Sequence, residues 1–391
     1  MWRWARKHKL LSAVLALVVA MSPIWWSLGT ALSNPAMGTT TPGRLAEWFR
    51  EHGFSSVVVW AENTWYSHHP PPVGGTPAKG AIPTGTAPPS RTPPTSKTPA
   101  HLPAPSSLSP IASPAVPGEG QWQPIGRTVD GVPAVYETFM RPDSVHTSVV
   151  VALAWMDTKL LAATQYSGSM IPGGGPWRYT APVTSHASEG LVAAFNSGFL
   201  MSNAEGGYYS ESKTVYPLRQ GAASFVIFKD GTATVVDWGR DVTMSPDVAS
   251  VRQNLSLIVD GGHPVTGLNA NDTSKWGFTL GNQVYVWRSG IGVTSDGALV
   301  YVGGPYLNIT DLADLLARAG AVRAMELDIN TDWVNFSSYA PASPLGAASP
   351  ANGTDLLSNM SSTPARYFDP GWARDFVTMS VRPGLEQSVA P

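Results

Sequence analysis

Residues 312–333 read LADLLARAGAVRAMELDINTDW, and they predict a helix that leads directly into a strand. Thr310 can cap the N-terminus of this helix, and Gly320 can end it. The apolar side chains of the first part recur at helical spacing, at Leu312, Leu315, Leu316 and Ala319. The pattern therefore indicates an amphipathic helix that feeds the following strand.

The strand after this helix carries acidic groups on its polar face. Apolar and polar side chains alternate from residue 325 to residue 330, which predicts a strand with one buried face. The polar positions, with one acid just beyond them, are Glu326, Asp328, Asn330 and Asp332. Acid groups gathered where a strand runs into a loop are a common way to build a catalytic or metal site, and a solvated polar face is the alternative.

The N-terminus predicts the cellular location. Four of the first nine residues are Arg or Lys, an uncharged run follows from Leu10 to Ser33, and no acid precedes Glu47. The run is close to the roughly 20 residues that span a bilayer, and the basic flank should stay in the cytoplasm. We therefore expect a signal anchor in the cell membrane with the large domain extracytoplasmic. A cleaved signal peptide is the alternative, because Thr30-Ala31-Leu32-Ser33 could contain a cleavage site.

Composition separates a linker from a large domain. Fifteen of the 49 residues from Pro70 to Gly118 are proline and none is acidic, which predicts an extended, polyproline-like spacer. Before it, the sequence predicts a short helix around Trp48 and a strand over 57–60. The predicted segments are a cytoplasmic basic segment (1–9), a transmembrane signal anchor (10–33), a juxtamembrane segment (34–69), a Pro/Thr/Ser-rich linker (70–118) and the large domain (119–391).

Bulk composition excludes several classes of protein. The chain has no cysteine, so neither disulfides nor thiolate metal sites can hold it together. A formal charge of −2 with 13% charged residues gives no electrostatic footprint for nucleic acid. Most of the fifteen tryptophans should be core residues, although flat indoles also stack on sugar rings.

The large domain is predicted to be strand-rich α+β. Hairpin signals are the two Asp-Gly pairs at 230–231 and 296–297, each between apolar runs. Further strands are predicted over 149–155, 191–195 and 255–259, and the strand over 191–195 ends in Asn196-Ser197-Gly198.

Three motifs in this order resemble those of the phosphodiester glycosidase family. They are AAFNSGF at 193–199, RSGIGVTSDG at 288–297 and LADLLARAGAVRAMELD at 312–328. The resemblance covers roughly residues 120–382, and the order and spacing of the motifs give it most of its weight. It implies the family's fold and the hydrolysis of a sugar-1-phosphodiester, which releases the sugar and leaves a phosphomonoester.

The chain departs from the family where the family has Gly-Gly-Gly-Ser after the aspartate. Here the residues are Ile329-Asn330-Thr331-Asp332, and Ser197 replaces a glycine in the first motif. Glycines would let backbone amides approach an anionic phosphodiester, whereas β-branched residues disfavour positive φ. A divergent substrate or a loss of catalysis are both consistent with this change.

The candidate site combines proton transfer with anion binding. Asp328 and Glu326 are candidate general acid and base, because glycosidic cleavage uses two carboxylates. Asn196 could orient a hydroxyl or cap its turn. Arg288 could clamp the phosphodiester or pair with an acid such as Asp328. The catalytic candidates are thus Asp328, Glu326 and Asn196, and the substrate-binding candidates are Arg288, Asn330 and Asp332.

No cofactor is predicted with certainty. The spacing Asp328-x-Asn330-x-Asp332 matches the first positions of an EF-hand calcium-binding loop. The match then fails, because Trp333 and Tyr339 occupy the positions where that loop needs Gly and Glu. Calcium at another kind of oxygen-ligated site stays open, while isolated histidines argue against zinc.

Two functions are consistent with the sequence. The first is a membrane-anchored extracytoplasmic hydrolase that cleaves the glycosidic bond of sugar-1-phosphodiesters in envelope glycans. The second is a non-catalytic envelope protein that keeps the fold to bind glycan or to organise surface structure.

Overall fold

The computed structural model describes residues 9–34, 40–52, 54, 57, 70–83, 100–272, 275–277, 283–343, 346–361 and 363–385. The strand predicted over 57–60 lies outside these residues except for position 57. The two N-terminal helices are α1 (Lys9–Ser33) and α2 (Thr41–Glu51), and they pack together. Trp48 Nε1 donates to Ser27 Oγ over 3.0 Å.

The first helix covers the segment for which we predicted an anchor. In the described part of the chain, no helix combines the length and the apolar character needed to cross a bilayer. The structure therefore shows a helix over this segment but does not show a membrane span.

The rest of the described chain is strand-rich with few helices, as expected for the predicted α+β class. Its helices are α3 (Ser185–Glu189) and α4 (Ile309–Arg318), with short 3₁₀ turns at Pro350–Asn352 and Pro364–Phe368. Its strands are β1 (Gln123–Val129), β2 (Val132–Met140), β3 (Val151–Met156), β4 (Leu161–Tyr166), β5 (Leu191–Asn196), β6 (Tyr208–Ser210), β7 (Lys213–Tyr216), β8 (Ala223–Phe228), β9 (Ala233–Asp237), β10 (Val248–Gln253), β11 (Leu257–Asp260), β12 (His263–Pro264), β13 (Val286–Thr294), β14 (Leu299–Leu307), β15 (Ala321–Glu326), β16 (Phe336–Tyr339), β17 (Gly353–Asp355) and β18 (Phe376–Val381).

These strands form three antiparallel sheets. The largest has the order β1-β2-β3-β14-β13-β15-β11-β12, and the other two have the orders β7-β6-β10-β8-β9 and β17-β16-β5-β18-β4. The main core lies between the sheets, and it includes Phe195 of β5, Tyr301 of β14 and Phe336 of β16. The ends of β5, β15 and β18 carry the site described below.

Both predicted Asp-Gly hairpins are confirmed. β8 and β9 join through Gly231, and β13 and β14 join through Gly297. The two glycines have φ of +79° and +93°, a conformation that L side chains rarely adopt.

The helix before β15 is confirmed, with a different cap. Asn308, rather than Thr310, is the N-cap, because its side chain accepts from Asp311 N over 2.9 Å in a capping box. Gly320 follows the helix at φ +91°. The predicted apolar side chains of α4 are buried against the large sheet, which fixes where β15 enters it.

The parts of the predicted linker that the structure describes contact the large domain. Ile82 belongs to the main core and Leu102 to the core beneath α4, since both bury more than nine-tenths of their surface. Leu102 N donates to Asp157 Oδ2 over 2.8 Å. The few apolar residues between the prolines are thus enough to hold these segments on the domain.

Candidate active site

Asn196 ends β5 and joins three parts of the fold. Its Nδ2 donates to Ser289 Oγ over 3.0 Å, and its Oδ1 accepts from Tyr301 Oη at 2.9 Å and from Asn335 N at 3.1 Å. The carboxamide therefore has internal partners on both atoms. It holds β5, β13 and β14 in register around the site, which is neither of the two roles considered from the sequence.

Asp328 lies just past the end of β15 and is almost fully buried. Its Oδ1 accepts from the backbone N–H of Ile329 at 2.8 Å and of Asn330 at 2.9 Å, and its Oδ2 accepts from Arg374 Nη2 at 3.0 Å. Burial raises the pKa of Asp328, while Arg374 and the two backbone donors oppose that rise. Both carboxylate oxygens are therefore occupied by protein donors.

The residues after Asp328 form a turn with hydrogen bonds of its own. Asn330 Oδ1 accepts from Asp332 N over 2.9 Å, and Asn330 O accepts from Trp333 N over 2.9 Å. Asn330 is exposed, whereas Asp332 is buried and faces Gly43 of α2, where an added Cβ would lie 2.8 Å from its Oδ2. The backbone N–H groups of Ile329, Asn330 and Asp332, three of the four that a glycine-rich turn could offer to an anion here, are thus engaged within the chain.

Arg288 and Glu326 lie behind the site as a pair. Arg288 Nη1 donates to Glu326 Oε1 over 2.5 Å, and both side chains are fully buried. The guanidinium also donates to the carbonyl oxygen of Leu307 at 3.0 Å. Burial raises the pKa of Glu326 to about 7, against the lowering effect of Arg288. Arg288 therefore pairs with an acid, as one of the two sequence alternatives had it, but the acid is Glu326 rather than Asp328.

Asn196 and Asp328 meet at a small cavity of about 10 Å³, room for about one water molecule, which is here called the cleft. Its lining residues are Asn196, Ser197, Gly198, Asp328, Trp333, Tyr367, Trp372, Arg374 and Asp375. Two of the predicted site residues thus converge there. The other four, Arg288, Glu326, Asn330 and Asp332, do not line it.

Sequence reasoning missed the charged pair immediately before β18. Arg374 Nη2 donates to Asp328 Oδ2 and to the carbonyl oxygen of Gly198 at 2.8 Å, and its guanidinium lies 4.6 Å from the ring centre of Trp333. Asp375 Oδ2 accepts from Arg252 Nε over 2.8 Å. The signal was available, because an acid next to an apolar run, as in Asp375 before residues 376–381, is the same pattern that drew attention to β15.

Three polar atoms of the cleft residues have no hydrogen-bond partner within the described chain, although they are buried. They are Trp372 Nε1, Arg374 Nε and Asp375 Oδ1, two donors and one acceptor. Buried polar atoms are nearly always paired in folded proteins, so a group of three on one cavity suggests that a ligand completes them. A ligand with anionic oxygens and a hydroxyl group has the complementary chemistry.

Two tryptophans form an aromatic wall of the cleft. Trp333 and Trp372 have ring centres 5.2 Å apart at an angle of 60°. Arg374 covers Trp333, and Arg366 lies 4.6 Å from the ring centre of Trp372. Cations over both indoles fix the orientation of the rings, and both tryptophans bury more than nine-tenths of their surface.

The donor set does not fit a bound cation. Within the described ranges, no three acidic or histidine side chains are grouped closely enough to hold a metal ion. The oxygens of Asp328 already accept from two amides and a guanidinium, and Asn330 Oδ1 accepts from Asp332 N. The predicted calcium spacing is thus used to form a turn.

Comparison with known proteins supports the resemblance seen in the motifs. Residues 189–328 match the sequence model of the phosphodiester glycosidase family. No curated protein matches the chain. Solved structures similar to it include the zebrafish N-acetylglucosamine-1-phosphodiester alpha-N-acetylglucosaminidase catalytic domain auto-inhibited by pro-peptide, at 16% identity, a TM-score of 0.40, and coverage of 67% of this chain and 87% of that one. A hypothetical protein from Synechocystis has 13% identity, a TM-score of 0.34, and coverage of 66% and 64%.

The family match ends at Asp328, so Arg374 and Asp375 are contributed by chain beyond it. The match includes the strand end at Asn196, the hairpin of β13 and β14, and the whole of α4 and β15. Over residues 189–328 the chain therefore matches the phosphodiester glycosidase family, and it departs from the family's motif in the residues that follow.

Proposed function

We propose that the protein is a hydrolase that cleaves the glycosidic bond of a sugar-1-phosphodiester. The observation that carries the proposal is the cleft, in which a guanidinium, two carboxylates and two tryptophans surround one cavity. Three polar atoms of its lining residues have no partner among the described residues. The family match over 189–328 supports the reaction class.

The anion of the substrate is best placed beside Arg374. Its Nε and the nearby Trp372 Nε1 are both donors without a partner among the described residues. The backbone N–H groups of Ile329 and Asn330 are engaged with Asp328, and Arg288 is engaged with Glu326. Arg374 thus takes the anion-binding role that the sequence suggested for Arg288.

Binding without turnover is the second candidate function, and one observation favours it. Asp328 has three donors on its two oxygens, so this carboxylate is poorly placed to exchange a proton with substrate. An envelope glycan bound on the tryptophan wall would still use Trp333 and Trp372.

Turnover of a defined substrate separates the two functions. The full-length protein, purified in detergent, is incubated with the methyl phosphodiester of N-acetylglucosamine-1-phosphate, with and without Ca²⁺. Free N-acetylglucosamine and methyl phosphate are the expected products, and methyl N-acetylglucosaminide is the control that lacks the phosphate. Saturable binding of the diester without any product would support the second function.

We also propose that the large domain is extracytoplasmic and tethered through residues 10–33. The basic residues before Leu10 and the exposed Trp25 and Trp26 of α1 support this location. Protease added to intact protoplasts should digest the large domain. Complete protection in intact protoplasts, together with digestion after lysis, would contradict the proposal.

A further inference from the structure

We propose that Asp375, rather than Asp328, is the carboxylate that takes a proton during hydrolysis. The inference rests on the proposed function. Asp328 and Asp375 both line the cleft, but they differ in how their oxygens are used. Asp328 accepts three hydrogen bonds from protein groups, whereas Asp375 Oδ1 is buried and accepts none within the described chain.

Arg252 holds Asp375 in place from the side away from this free oxygen. Its Nε donates to Asp375 Oδ2, its Nη1 donates to the carbonyl oxygen of Gln253 at 2.7 Å, and its Nη2 donates to the carbonyl oxygen of Phe199. All three nitrogens of Arg252 are therefore engaged. The carboxylate is fixed at one oxygen and leaves the other for a ligand or a water molecule.

The charges around Asp375 suit a substrate that gains negative charge as it reacts. The cations near it are Arg252 and Arg374, the other acid of the cleft is Asp328, and the nearby phenol is Tyr208. The two arginines balance the two aspartates before substrate binds. A proton accepted by Asp375 would leave one uncompensated cationic charge in the cleft, which stabilises the departing phosphate.

The chemical step balances with one base. The oxygen of a water molecule bonds to the anomeric carbon while the bond from that carbon to the phosphate oxygen breaks. The electron pair of the broken bond stays on that oxygen and gives a phosphomonoester dianion, and one proton of the water passes to Asp375 Oδ1. A phosphomonoester has a second pKa of about 6, so it leaves without a proton from an acid. Asp328 can therefore remain paired with Arg374 throughout.

The test compares two isosteric variants of the full-length protein, Asp375→Asn and Asp328→Asn. Removal of a general base should lower kcat by about 10²- to 10⁴-fold with a smaller change in KM. We expect this result for Asp375→Asn, together with loss of the acid limb of the pH profile of kcat/KM. We expect Asp328→Asn to keep the acid limb.

Glu119→Gln is the matched control for structural damage. Glu119 pairs with Arg141 at 2.8 Å, both side chains are buried, and neither lines the cleft. Its change in melting temperature measures the cost of removing a charge from a buried arginine pair. Activity in Glu119→Gln should stay near that of wild type when a fold of similar melting temperature is retained.

The outcomes distinguish this inference from the proposed function. A wild type without turnover overturns the proposed function and this assignment together. An active wild type with an equally active Asp375→Asn overturns only the assignment, as does loss of the acid limb in Asp328→Asn instead. Should Asp375→Asn fail to fold, Asp375→Glu keeps the ion pair and moves the free oxygen. Wild-type kcat with an unchanged pH profile in Asp375→Glu would then contradict the proposal.

Discussion

At the scale of single residues, Arg374 connects the elements of the cleft. Its Nη2 donates hydrogen bonds to Asp328, which follows β15, and to the carbonyl oxygen of Gly198, which follows β5. Its guanidinium packs on the ring of Trp333. Burial lowers its pKa, opposed by the acids Asp328 and Asp375. A lysine at this position would keep the charge. It would lose the planar guanidinium, which donates to Asp328 and Gly198 and packs on Trp333.

Arg374→Lys should therefore lower activity by more than tenfold, mainly through KM, because the anion loses Nε as a donor. Steady-state kinetics on the phosphodiester would measure the effect. Arg318→Lys is the matched control, since Arg318 pairs with Asp314 at an exposed position of α4. The same loss in both variants, or an unchanged KM in Arg374→Lys, would contradict the assigned role.

Gly198→Ala tests the position of Arg252 without changing a charge. A Cβ on Gly198 would lie 3.1 Å from Arg252 Cζ and 3.2 Å from both terminal nitrogens. The guanidinium must shift by a few tenths of an ångström, and Asp375 should shift with it. We expect kcat to fall severalfold with a small loss of thermal stability; kcat equal to that of wild type would show that the position of Arg252 is not critical.

At the scale of elements, apolar residues within the linker attach it to the domain. Leu102 and Ala112 are buried, and two carbonyl oxygens of this region, those of Ala112 and Pro114, accept from Arg141. From sequence alone, a domain beginning at residue 119 should fold by itself. The structure indicates that such a fragment loses apolar contacts and leaves Arg141 without two acceptors.

A fragment of residues 100–391 should therefore be more stable than one of residues 119–391. Burial of a leucine side chain stabilises a fold by about 1.5–3 kcal/mol, so a difference of about 3 kcal/mol is expected once the Arg141 contacts are added. Urea unfolding of both fragments would measure it. Equal unfolding free energies of the two fragments would show that residues 100–118 do not stabilise the domain and act as a detached spacer.

The cap of α4 shows what sequence reasoning at this scale can miss. Thr310 and Asn308 both have side chains suited to capping, and their positions differ by two residues. Asn308 is the N-cap of α4 because Asp311, three residues later, completes a capping box with it. The helix, its apolar side chains and its final glycine were all predictable, because they depend on local spacing.

At the scale of the whole molecule, buried acids make stability depend on pH. Burial raises the pKa of Glu137 in β2 to about 7, from an ordinary value of 4.5. The folded state therefore binds this proton more tightly than the unfolded state does. The stabilising contribution is complete below about pH 4.5 and is lost as the pH rises through 7.

Glu137→Gln should consequently stabilise the protein at pH 8, where the wild type has to bury an ionised carboxylate. A gain of about 1–2 kcal/mol is expected, after allowance for the partial exposure of this side chain. At pH 4.5 the two proteins should unfold at nearly the same urea concentration. A variant that is less stable than wild type at pH 8 would show that the carboxylate has a stabilising partner.

The sequence by itself determined the secondary structure around the site. The two Asp-Gly hairpins and the helical spacing of α4 are local patterns, and each led to an element that the structure contains. The strand predicted from the alternation in residues 325–330 is only partly confirmed, because β15 ends at Glu326 and a turn follows it. Asn196 and Asp328 were placed at strand ends by the same local patterns, and both line the cleft.

Only the tertiary structure decided which charges meet. Glu326 pairs with Arg288, Asp328 with Arg374 and Asp375 with Arg252, across 38, 46 and 123 residues of sequence. The alternation of apolar and polar residues along a strand indicates which face of the strand a side chain occupies. The partner that lies opposite that face depends on the order of the strands and on how the sheets pack. Burial then requires each charge to have a partner, so the choice of partner was made by the packing of the three sheets.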